Sequence, residues 1–262
     1  SPYLTIDFEG KHAYGIATGT ATLLDNIRIY EPDTIDAGVT QITSPGSMSQ
    51  SGSTNTVVVK IRNFGLDTLT SIPVNYQMNS NPVVTATWTG TLLPNASTNY
   101  TFTTTFIAPL GQYNICSWTS LGGDLSTFND SICKTSTGVP LVVAPFVDDM
   151  ETTNNYAAEI TYSPSWEYGT PLAPNIANAH SGNNCWEINL NGNYLANSNE
   201  ILYSPFIDFS NANQAELRFW HWYHNEQFYD GGRVEYTTDN GVTWVVLGTQ
   251  NDPNGTNWYN YF

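Results

Sequence analysis

Phe146-Val147-Asp148-Asp149-Met150-Glu151 opens the stretch on which the fold reading turns, and Thr237-Thr238-Asp239-Asn240-Gly241-Val242-Thr243-Trp244 closes it. Between them lie Cys185-Trp186-Glu187-Ile188-Asn189-Leu190, Glu200-Ile201-Leu202-Tyr203, Ala215-Glu216-Leu217-Arg218-Phe219-Trp220-His221-Trp222-Tyr223 and Arg233-Val234-Glu235-Tyr236. These runs are short, rich in β-branched and aromatic residues, and separated by Gly, Pro, Asn and Ser, which is how strands read. Val242 to Leu247 completes a hairpin whose turn, Asn240-Gly241, favours positive φ. No segment keeps a helical period. The expectation is an all-β unit from about Pro140 to Phe262.

Working outward, residues 33–139 hold a second β unit. Val57, Val59 and Ile61 alternate with Val58, Lys60 and Arg62, and Ile72, Val74, Tyr76 and Met78 alternate with Pro73, Asn75 and Gln77. Tyr100, Phe102, Thr104 and Phe106 alternate with threonines. Period two with turn signals at Asn63-Phe64-Gly65, Asn79 to Pro82 and Pro94-Asn95 predicts a sandwich of about seven strands. Residues 1–32 supply two more strand-like runs, Tyr3 to Gly10 and Ala21 to Tyr30, ended by Glu31-Pro32-Asp33. Two strands cannot stand alone in water, so they must pack on something.

Composition narrows the partners. Of 262 residues, 23 are acidic and 7 basic, a formal charge of -16. Such a surface repels phosphate backbones and anionic membranes and attracts divalent cations, so nucleic acid is excluded as a partner. No apolar run reaches the roughly 18 residues of a membrane-spanning helix, and Ser1-Pro2-Tyr3-Leu4 has neither the basic nor the apolar region of a signal peptide. The strand-like run Trp258 to Phe262 reads as a chain that continues.

Five stretches of the middle unit stand out together: Asp36 to Thr40, Val59 to Gly65, Ile72 to Tyr76, Gly90 to Pro94 and Gly123-Asp124 to Asn129-Asp130. On these the unit resembles the CARDB-like immunoglobulin-type modules of secreted Bacteroidetes proteins. The third unit resembles MAM-like and cleaved-adhesin jelly rolls at Asp148 to Glu151, Ile201 to Asp208 and Tyr236 to Trp244, and residues 6–29 look like the last strands of that fold. The implied architecture is an Ig-like β-sandwich flanked by parts of jelly-roll domains. Residues 1–32 would close a jelly roll, either a preceding copy or that of residues 140–262. The resemblance implies a repeat segment of a large adhesin on the bacterial outer surface, exported by the type IX secretion machinery and used in attachment or gliding. Its partners would be neighbouring repeats and, through exposed aromatic faces, surface glycans; the chain itself would not be an enzyme. The alternative is an accessory, carbohydrate-binding part of a secreted hydrolase or peptidase. The resemblance also implies a structural Ca²⁺ held between the acidic jelly-roll opening and an Asp of the last strand: the opening Asp148, Asp149 and Glu151 would supply one half of a site completed beyond residue 262, and Asp25 would serve the preceding copy.

Smaller motifs have their own readings. Thr237 to Trp244 matches the Asp-box pattern, with Thr in the usual Ser position, and reads as a hairpin turn braced by Asp239 with Trp244 packed beneath. His221 and His224 fall on opposite faces of a strand and so cannot share a metal. Trp166 and Tyr168, after Pro164, are the candidates for an exposed ligand platform. Cys116 and Cys133 are symmetric about Asp124–Leu125 and form either a cross-strand disulfide or two thiols. Asp33-Thr34-Ile35, Asp67-Thr68-Leu69 and Asp130-Ser131-Ile132 fit the Bacteroidetes O-glycosylation pattern, which would place sugar on Thr34, Thr68 and Ser131.

Overall fold

A computed structural model describes residues 33–151, 155–159, 165–172, 178–196, 198–226 and 229–255. The expected strands of residues 1–32, including Asp25, lie outside the described residues. All regular structure among the described residues is β, as expected.

Eight strands make the first module: β1 (Ala37–Ser44), β2 (Met48–Gln50), β3 (Thr54–Asn63), β4 (Leu69–Met78), β5 (Val84–Leu92), β6 (Ser97–Ile107), β7 (Gly111–Thr119) and β8 (Ser131–Val139). One sheet runs β1-β3-β6 and the other β2-β8-β7-β4-β5. The alternation read from sequence is the burial pattern. Val57, Val59 and Ile61 of β3 face inward against Ile72, Val74 and Tyr76 of β4, with Phe102, Tyr113 and Ile115 filling the space between. Each fully buried aliphatic or aromatic side chain contributes about 1.5–3 kcal/mol, so this interior is the main stabilising term. The expected turns are present. Asn79 and Asn95 take positive φ, and Asn63 donates from Nδ2 to the carbonyls of Asp67 (2.8 Å) and Leu92 (2.9 Å).

The sandwich has eight strands where the sequence reading gives about seven. The difference is β2. After Ser44, Pro45 cannot donate to the β1–β3 ladder. The chain leaves that sheet and Met48–Gln50 joins the other, parallel to β8. The intervening loop is held by β8: Lys134 Nζ donates to the Pro45 carbonyl (2.7 Å), Ser136 Oγ to Gly46 (2.7 Å), and Thr137 N to Ser47 (2.9 Å).

Pro140 alone separates β8 from β9 (Leu141–Val143), the first strand of the second module. Short ladders follow. β9 pairs in parallel with β14 (Phe206–Asp208), and β10 (Ala157–Ala158) with β13 (Leu202–Tyr203). β11 (Trp166–Gly169) pairs with β12 (Cys185–Ile188), and β15 (Glu235–Tyr236) with β16 (Val245–Val246). The predicted strand Ala215–Tyr223 differs: no ladder is assigned to it among the described residues, and it is exposed along its length. Its rings still align two residues apart, Phe219 with His221 (5.5 Å) and His221 with Tyr223 (5.7 Å). Alternation sets which face a side chain takes.

Candidate functional site

The acidic opening of the second module is arranged around N–H donors. Asp148 Oδ1 accepts from Met150 N (2.9 Å) and Oδ2 from Asn155 Nδ2 (2.9 Å), while Asp149 Oδ1 accepts from Glu151 N (3.1 Å). Glu151 Oε1 accepts from the backbone N–H groups of Asn183 (2.9 Å) and Asn184 (2.7 Å). A Cβ on Gly182 would overlap that carboxylate, so glycine is required for the turn to close on it. Ca²⁺ needs 6–8 oxygens. Among the described residues no three His, Cys, Asp or Glu side chains are grouped to hold a metal. Glu151 anchors the 182–184 turn.

The Asp-box turn is built as its pattern predicts. Asn240 (φ 59°) and Gly241 (φ 75°) reverse the chain. Asp239 Oδ1 accepts from Thr243 N (2.8 Å) and Val242 N (3.1 Å), and Oδ2 from Thr243 Oγ1 (2.6 Å). Thr237 fills the usual serine role: its Oγ1 donates to Asp239 Oδ1 (2.8 Å) and accepts from Gly241 N (3.0 Å). The hydrogen bonds from Thr243, then that from Thr237, hold the Asp239 carboxyl down at about 2. Its contribution is present above the ordinary value of 3.8 and is lost as pH falls toward about 2. Trp244 stacks on Tyr203 (5.7 Å, 29°) and donates from Nε1 to Ser47 Oγ of the sandwich (3.3 Å).

Trp166 and Tyr168, the expected ligand platform, lie half-buried in β11, not in a loop. Trp166 donates from Nε1 to the Glu200 carbonyl (3.1 Å), and Tyr168 donates from its hydroxyl to the Met150 carbonyl while its ring packs on Trp186 (5.7 Å). Pro164 suggested a loop, but the Trp-Glu-Tyr alternation after it pairs with Cys185–Ile188. His221 and His224 separate as predicted, His221 between Phe219 and Tyr223 and His224 beside Trp222 (6.0 Å).

Cys116 and Cys133 form a disulfide directly across the β7–β8 ladder. Cys185 is free, and burial, then Glu187, pushes its thiol up, away from reactivity. Thr34, Thr68 and Ser131 are all exposed. Asp67 N donates to the Thr34 carbonyl (2.9 Å), which puts Thr34 close to the Thr68 turn.

Sequence reasoning missed a cluster of three carboxylates. Asp36 is buried (2 % exposed) and its Oδ1 accepts from Asn129 Nδ2 (2.9 Å). Asp124 Oδ2 accepts from Ala37 N (2.8 Å). Asp130 Oδ1 is buried without a donor. Burial raises the Asp36 carboxyl, with Asp124 adding to it; burial, then Asp124 and Asp36, raises that of Asp130. No local pattern joins positions about ninety residues apart; only the strand pairing brings them together. Raised acids favour the protonated fold, so their stabilising effect is fully present below 3.8 and is lost as pH rises through the folded values. At neutral pH they oppose folding. Asp130→Asn should therefore raise stability at pH 7 by about 1 kcal/mol, the scale of a buried group left unpaired, with the gain vanishing in melts near pH 4. A lower melting temperature at pH 7 would show that the charge is needed.

These observations define a class: an all-β chain with an Ig-like β-sandwich joined to a second β module. No family model matches the chain. Among curated proteins it is similar to Bacillopeptidase F of Bacillus subtilis (strain 168), 29% identical over 113 residues. That match covers 43% of this chain and only 8% of the relative. Among solved structures it is similar to the CARDB domain of PF1109 from Pyrococcus furiosus. The solution structure of that domain is 19% identical, covering 40% of this chain and 96% of that one at a TM-score of 0.33. The crystal structure of the same domain in complex with di-metal ions is 16% identical, covering 43% and 99% at a TM-score of 0.34.

Proposed function

We propose that this chain is a non-catalytic repeat segment of a large secreted cell-surface adhesin, whose β modules in series extend and display binding surface for attachment or gliding. The observation that carries the reading is the serial join: β8 passes into β9 across Pro140 alone, so one module is built directly on the next. Stacked modules stabilise one another through neighbour interfaces, as repeat proteins do. The acidic, cation-attracting surface and the cross-strand disulfide fit an exported protein. Export by the type IX machinery and a Bacteroidetes origin belong to the same proposal and rest on the sequence resemblance. The intact mass of the native polypeptide tests it. Many repeats with no catalytic domain support the adhesin; one catalytic domain beside a single copy of these modules overturns it.

The second reading, accessory modules of a secreted peptidase or hydrolase, is favoured by the similarity to part of Bacillopeptidase F. The same mass measurement separates the two. A structural calcium at the jelly-roll opening also belongs to the proposal, its remaining ligands coming from beyond the described cluster. A fall in the melting temperature with EDTA supports it, and an unchanged temperature removes it.

A further inference from the structure

The Asp-box turn does something that hairpin geometry alone does not require: it meets the other module. Ser47 N donates to the Gly241 carbonyl (3.2 Å), Ser47 Oγ donates to the same oxygen (3.1 Å), and Trp244 Nε1 donates to Ser47 Oγ (3.3 Å). The two backbones touch on both sides. A Cβ on Gly46 would overlap the Asn240 carbonyl oxygen, and a Cβ on Gly241 would lie 2.7 Å from Ser47 Oγ and 3.0 Å from Met48 N. Beside this contact, Met48, Val139 and Tyr203 form a buried apolar cluster, with Ala157, Phe206 and Trp244 packed on it. The cluster draws residues from both modules.

Each partner is braced by hydrogen bonds within its own module. Asp239 and Thr237 cross-brace the turn from one side, and Lys134, Ser136 and Thr137 of β8 hold Pro45, Gly46 and Ser47 from the other. Preorganised surfaces lose little freedom on docking, so a small contact can hold. The topology gives the contact its effect. A single covalent crossing at Pro140 would leave the second module free to swing about the first. Gln112 Nε2 of β7 donates to the Ala158 carbonyl of β10 (3.4 Å), and the Asp-box contact, about a hundred residues after Pro140 in the chain, is a further attachment that opposes the rotation.

We propose that the Thr237–Trp244 turn is a docking element whose partner is the Ser44–Ser47 loop of an Ig-like module, and that this contact locks the orientation between the two modules. The lock stands whatever the whole protein does. Its mechanical use, a rod that does not bend at this joint, rests on the adhesin reading.

Amide exchange, scattering and calorimetry on the whole chain test it. In the wild type the Ser47 amide, whose acceptor belongs to the other module, should be protected, and the two modules should melt in one transition. Gly46→Val wedges the joint from the sandwich side and Trp244→Ala empties it from the other. Each should speed Ser47 exchange at least tenfold, broaden the distance distribution in solution scattering, and split the melt in two. Leu125→Ala, exposed on the sandwich hairpin away from the joint, should match the wild type. An unprotected Ser47 amide in the wild type overturns the lock, and that result needs no variant to fold. Unchanged exchange and a single transition in both joint variants also overturn it. None of these outcomes depends on the intact mass that tests the adhesin, so the two can fail separately.

Discussion

Replacing Phe102 by alanine should destabilise the sandwich by about 3–5 kcal/mol, the range for emptying a buried aromatic site, and lower its melting temperature by roughly 10–20 °C for a module of this size. Phe102 is 1 % exposed and lies between the sheets. Its ring meets Tyr76 of the opposite sheet edge-on (4.8 Å, 76°) and Tyr100 of its own strand (5.0 Å, 87°), geometries that add to simple burial. Tyr76 also donates its hydroxyl to the Thr104 carbonyl (3.0 Å), a bond from one sheet to the other. Removing Phe102 takes away the surface against which Tyr76 is placed, so a cavity opens and the cross-sheet bond weakens together. Phe102→Leu keeps most of the volume and should cost less than half as much. Chemical denaturation of both variants at neutral pH checks this. A cost below about 1.5 kcal/mol for the alanine variant, within the range of a volume-conserving swap, would mean that the two sheets do not meet at this ring.

That residue was legible in the sequence, and the reason separates what could be read from what could not. Tyr100, Phe102, Thr104 and Phe106 share a strand face by period two alone, and burial then follows from chemistry. The Cys116–Cys133 pair was legible for a similar reason: symmetry about a hairpin centre fixes register. The Asp-box bonds were legible because all of them close within eight residues. What the Asp-box touches was not, because Ser47 is almost two hundred residues away and no local pattern encodes a docking partner. The same holds for Asp36 and Asp130, brought together by strand order. Trp166 and Tyr168 misled because Pro164 signals a loop more strongly than a four-residue strand signals a ladder. Ala215–Tyr223 is the reverse case: a strong strand pattern to which no ladder is assigned among the described residues. Its faces were read correctly, as His221 and His224 show.

Reducing the Cys116–Cys133 bond should cost about 3 kcal/mol, the loop-closure value for a crosslink of this span. The cysteines are 17 positions apart and face each other in the β7–β8 register, so the bond closes the hairpin that carries Asp124 at its tip. Reduction frees the unfolded chain of that loop constraint and leaves the native ladder bonds intact, so folding is still expected, at a lower denaturant midpoint. β8 is also the strand that holds the Ser44–Ser47 loop and runs on through Pro140 into the next module. Loosening its outer end should therefore be felt mainly in the stability of the sandwich, with the inter-module contact at its other end retaining its protection. Cys133 is exposed, so a reductant can reach the bond, and a reducing cytosol would keep it open. The intact mass should be lighter than the reduced mass by two hydrogens, and a Cys116→Ala/Cys133→Ala variant should match the reduced protein in stability. Equal masses before and after reduction would show that the bond does not form and would remove one support for an exported protein. A bond that forms but whose loss costs less than about 1 kcal/mol would show that the hairpin is already fixed by its ladder, with the crosslink serving resistance to unfolding outside the cell in place of equilibrium stability.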